Sequence, residues 1–88
     1  MNKAIKNFRK EFKVLKAEEN NSWLHDYEME YCTSAETLTL WNDKLDLITS
    51  AALNDIQTLQ NKYGLVLMIS GGSRRGPELV LYSPIKKY

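Results

Sequence analysis

Two short apolar runs, Leu65 to Ser70 and Leu79 to Ser83, flank Gly71, Gly72, Ser73, Arg74, Arg75, Gly76 and Pro77. Runs of strand length separated by turn-forming residues predict a β-hairpin with a long tip. Its arms are apolar on both faces, the pattern of strands covered by helices on one side and by something else on the other. A partner is one candidate for that second cover.

The rest of the chain must supply the helices. Ile5, Phe8, Phe12 and Leu15 recur at steps of three and four, which builds one helical stripe, while Lys3, Lys6, Lys10 and Lys13 cluster on another side. A basic amphipathic helix over residues 2–17 is predicted. Val14 falls off the stripe and leaves 12–17 open to a strand reading. After a polar connection, Glu18 to Ser22, the residues Tyr27, Met29 and Tyr31 alternate with Glu28 and Glu30, predicting a half-buried strand with an acidic outer face.

The middle of the chain reads in two ways. Thr33 followed by Glu36 matches a capping box, and an apolar stripe runs on through Leu38, Trp41, Leu45, Ile48, Ala52, Ile56, Leu59 and Tyr63 to Gly64, a fitting left-handed cap. That predicts a long helix with Trp41 in the core. At ~1.5 Å per residue it would span ~45 Å, so a break or kink is expected. Alternatively Thr37 to Trp41, where Thr and Leu alternate, forms a second strand and the helix starts at Asp43. The fold expected is α+β: a small antiparallel sheet, made of one central strand plus the C-terminal hairpin, packed against an N-terminal basic helix and a long or broken second helix.

Nothing in residues 1–88 marks a domain boundary, so a single domain is expected, large enough for one core. A hydrophobic content of 43% beside 26% charged residues sets the chain apart from disordered sequences. The longest apolar run, Leu65 to Ile69, is far short of the ~20 residues of a membrane span, and Phe8 to Glu11 interrupt any secretory leader. The single cysteine, Cys32, is better suited to a reducing compartment, and a cytoplasmic location is expected. Abundant Asn and Lys are compatible with a bacterial, phage or plasmid source.

A net charge of +1 conceals segregation: residues 1–16 carry +5, residues 17–62 carry −7, and residues 63–88 carry +3. Such asymmetry bears on partners and encounter rates.

Catalytic chemistry finds little support. His25 and Cys32 are the only residues of their types; on one straight strand they would stand ~23 Å apart on opposite faces, so no Cys–His pair is expected. Two such residues cannot complete a zinc site, and neither metal nor cofactor is expected. Glu28 and Glu30 read as a solvated acidic face rather than an acid–base pair. In the tip GGSRRGPE, Gly71 and Gly76 have the interval of a phosphate-binding loop, but Pro77 and Glu78 replace its Lys and Ser or Thr. The tip is a solvated turn or an anion-binding element built on Arg74 and Arg75.

The expected function is therefore non-enzymatic: a protein-binding module, of the kind phages or other mobile elements use as an inhibitor or regulator of a host complex. Candidate binding residues are Arg74, Arg75, Lys3, Lys6, Lys10, Lys13 and Trp23, because cationic groups and large amphipathic rings anchor interfaces. The alternative is a nucleic-acid-binding protein that applies the basic helix and the Arg74/Arg75 tip to phosphates, against which the pI of about 7.8 counts. The expected partner is another protein, with nucleic acid or a second copy of the chain as further options, and no membrane.

Overall fold

The computed structural model of the chain describes residues 2–43, 48–73 and 76–84. Helix α1 (Lys3–Ala17) leads through a single 3-10 turn (Ser22–Leu24) to strands β1 (Tyr27–Cys32) and β2 (Thr37–Asn42). Helix α2 (Ser50–Lys62) follows, and the hairpin β3 (Val66–Ser73) and β4 (Gly76–Tyr82) completes the order. The four strands form one antiparallel sheet ordered β1-β2-β4-β3, and the fold is α+β.

α1 begins where Asn2 Oδ1 accepts the N–H of Ala4 at 2.8 Å and of Ile5 at 3.3 Å, satisfying two donors that a helix start otherwise leaves unpaired. Its stripe faces the core: Ile5, Phe8 and Phe12 are fully buried, with the Phe8 and Phe12 rings stacked at 6.0 Å between centroids. Residues 12–17 belong to this helix, which closes the strand reading opened by Val14; Val14 itself is 59% exposed.

The sheet is larger than one strand plus a hairpin. Thr37–Asn42 is a central strand, and the capping-box signal at Thr33 and Glu36 lies instead in the β1–β2 turn, where Glu36 takes φ = 55°. Strand wins because Leu38 and Leu40 become fully buried when β2 pairs with β1 on one side and β4 on the other. The long helix is accordingly replaced by thirteen residues, α2, capped by Thr49 Oγ1 on Ala52 N–H at 3.3 Å. It starts at Ser50 rather than Asp43; Leu45 of the proposed stripe lies outside the described residues.

Gly64 ends α2 as the sequence predicts. With φ = +65° it lets its own N–H reach the Asn61 carbonyl at 3.2 Å and Leu65 N–H reach the Gln60 carbonyl at 3.0 Å, a Schellman closure. The chain then enters β3 with Leu65 buried.

β2 and β3 run in the same direction with β4 between them, so α2 is the crossover that joins them. Leu38, Leu40, Leu79 and Leu81 share one sheet face and form a single cluster with Ile5, Phe8, Phe12, Ala52, Ile56 and Leu59, which places both helices on that face. Tyr27 is buried against this cluster and Met29 and Tyr31 pack on it, as their alternation predicts.

Candidate functional site

The second face of the sheet follows from register. On β1, β2, β4 and β3 in turn, Glu28, Trp41, Glu78 and Ser70 form one cross-strand row; Glu30, Thr39, Val80 and Met68 form the next; Cys32, Thr37, Tyr82 and Val66 form the third. Directly opposite residues in antiparallel pairs carry side chains on the same face, ~4.5–5.5 Å apart at Cβ. Glu28, Glu30 and Cys32 are exposed, Met68 is 50% exposed, and Thr39 and Val80 on the two central strands are only partly buried. A covering layer would bury those central residues completely. Both helices pack on the opposite face, and of the residues in these three rows only Glu78, at 8% exposure, is buried.

Its composition is graded. The β3–β4 half presents Val66, Met68, Val80 and Tyr82, with Ser70 and the buried Glu78 at one end of it; Trp41 stands in the middle, and the β1 border presents Glu28 and Glu30. Lys16, near the end of α1, reaches Glu28 across that border at 3.6 Å, an ion pair with both partners partly in solvent. The surface offers an apolar area with an acidic margin, which suits a partner that brings its own apolar contact and basic rim.

Trp41 corrects the sequence reading. Expected in the core of a long helix, it sits on β2 with its side chain on the uncovered face, partly buried, because a strand sends residues 38, 40 and 42 one way and residues 37, 39 and 41 the other. The signal that reveals this face is present in the sequence: hairpin arms apolar on both sides, and the Thr–Leu alternation before Trp41. Neither identifies Trp41 as part of it.

The sequence-predicted candidates lie elsewhere. Lys3, Lys6, Lys10 and Lys13 are all exposed on α1, on the side of the helix turned away from its buried stripe, so the basic patch and the uncovered sheet face point in opposite directions. Trp23 is 39% exposed in the 3-10 turn, where its indole N–H donates to Asp55 Oδ2 at 2.7 Å and ties that turn to α2. Arg74 and Arg75, with Lys86 and Lys87, lie outside the described residues. The structure does not bring Trp23 and the lysines into one surface with the sheet face.

His25 precedes β1 and its Nε2 donates to the Glu18 carbonyl at 2.8 Å, while Cys32 closes β1 at its other end. Cys32 is exposed; the neighbouring Ser34 hydroxyl and the backbone at Ala35 hold its thiol below the ordinary cysteine value. Among the described residues no three His, Cys, Asp or Glu side chains converge as a metal site would require, and no helix is long and apolar enough to cross a membrane. Neither protein-family models, nor characterised proteins, nor solved structures contain a match to this chain.

Proposed function

We propose that the chain is a small non-enzymatic protein-binding module that docks a partner on the uncovered sheet face and acts, in the cytoplasm, as an inhibitor or regulator of a host complex of the kind targeted by phages and other mobile elements. The observation that carries this reading is the apolar centre of that face, with Val80 and Met68 left partly open beside Trp41 and bounded by Glu28 and Glu30. Monomeric proteins rarely expose contiguous apolar surface without a use for it. Burial of such a centre inside a polar rim is the usual anatomy of a protein interface.

A second reading, binding of nucleic acid, rests on the exposed Lys3, Lys6, Lys10 and Lys13. Phosphate neutralisation by these groups gives affinity that falls steeply with salt. Affinity capture from the native host, run in parallel with wild type, Val80→Glu and Lys6→Glu/Lys10→Glu, separates the two. Retention of one protein by wild type and the lysine variant, with loss in Val80→Glu, supports the sheet face. Nuclease-sensitive retention, lost only in the lysine variant, supports nucleic acid.

A further inference from the structure

The sheet has two edges, and they differ in the one respect that governs pairing. β1 carries Glu28 and Glu30, so antiparallel association of two β1 edges would bring like charges together. β3 reads Val-Leu-Met-Ile-Ser-Gly-Gly-Ser, with no charged residue and no proline over its eight positions. Edge strands normally carry one of those protections, because a free edge presents a row of backbone donors and acceptors to any other strand. Here the two side chains at the middle of the edge are also exposed and apolar: Met68 at 50% and Ile69 at 64%. They point to opposite faces, so docking on the uncovered sheet face accounts for Met68 and leaves Ile69 unexplained.

We propose that two copies of the chain join edge to edge through β3, in antiparallel register, to form one continuous eight-stranded sheet. The absence of charge makes β3 compatible with itself. The register shift between Ser70 and Ser73 limits regular pairing to Val66–Ser70. A two-fold axis at Met68 sets Met68 opposite Met68 of the second copy, Val66 opposite Ser70, and Ile69 opposite Leu67. Each exposed Ile69 thereby gains an apolar neighbour. The axis of an antiparallel strand pair stands perpendicular to the sheet, so both sets of helices fall on one side and both uncovered faces on the other. The contact is isologous and closes at two copies. This association does not depend on what docks on the uncovered face.

Sedimentation velocity from micromolar to near-millimolar concentration tests it. Wild type is expected to move to twice the 10.2 kDa chain mass as concentration rises. Met68→Lys combined with Ile69→Lys is expected to weaken that association at least ~10-fold by setting like charges across the joint. Val80→Lys, on the uncovered face and away from the edge, is expected to leave it intact. Hydrogen exchange on wild type supplies a readout that needs no variant: amides in Val66–Ser70 should gain protection with concentration while those in Tyr27–Cys32 should not. A monomer at every concentration overturns the proposal. So does a dimer that Val80→Lys dissociates, or one whose added protection falls on β1.

Discussion

Tyr63, the residue that caps the C-terminus of α2, donates its phenolic hydroxyl to the Glu11 carboxylate at 2.5 Å and so fastens the end of one helix to the middle of the other. Lys62 donates to the same carboxylate at 2.9 Å. The Tyr63 hydroxyl and then Lys62 hold Glu11 below its ordinary value of 4.5. In return Glu11 raises Tyr63 above 10.0 and Lys62 above 10.5.

These directions fix a pH window. The lowered carboxylate contributes stability that is complete above pH 4.5 and disappears as pH falls through its folded-state value. The raised phenol contributes stability complete below pH 10.0 and lost as pH climbs through its own folded-state value. Glu11→Gln should therefore lower the thermal midpoint modestly at neutral pH, with the gap from wild type closing toward both extremes. Melting curves across pH check this, and a gap independent of pH would separate the Glu11 contribution from its charge.

Phe8 is fully buried and stacked on Phe12, so Phe8→Ala should destabilise the fold by ~3–5 kcal/mol through lost transfer energy and a residual cavity. Lys10→Ala, on the exposed side of the same helix, should stay within ~0.5 kcal/mol. Denaturant unfolding of both gives the comparison. Equal midpoints for Phe8→Ala and wild type would detach α1 from the core.

At Gly64 the cost of a side chain is conformational rather than steric, since a Cβ there meets nothing within 4 Å while φ is +65°. Gly64→Ala is expected to cost ~1–2 kcal/mol, the left-handed penalty for an L-residue. Gly64→Asn, which tolerates that region better, should cost less. If the two variants proved equally stable, the left-handed backbone would not be the determinant at this cap.

Much of this fold is legible in the sequence wherever a local signal and burial agree. The 3–4–3 stripe of Ile5, Phe8, Phe12 and Leu15 and the Gly64 terminus needed only neighbouring residues to be read. The region 33–42 misleads because its local and long-range signals disagree: Thr33 and Glu36 resemble a helix start, while Leu38 and Leu40 are buried by pairing with Leu81 and Leu79, some forty residues onward. Propensity is a weak prior against that pairing. The candidate surface inherits the difficulty, since a face shared by four strands exists only once their register is set. Trp41 is recognisable as a member of it only then.

Successive residues of β4 supply the sharpest test of which face is covered. Leu81 is fully buried beneath the helices, whereas Val80 is only partly buried on the opposite side, next to Thr39 and Met68 in the register. A lysine at each position meets opposite surroundings. In Val80→Lys the ammonium stands at an open surface, and the expected loss is under ~1 kcal/mol, in the range of substitutions away from the core. In Leu81→Lys an unpaired charge would enter an apolar cluster, which costs more than ~4 kcal/mol or abolishes the cooperative transition. Circular dichroism melts of the two proteins, made and measured together, decide the matter. Comparable stability would mean that the two faces are alike in burial; a large loss confined to Val80→Lys would mean that the apolar centre of β4 is covered, and the docking surface would have to be sought on the lysine side of α1.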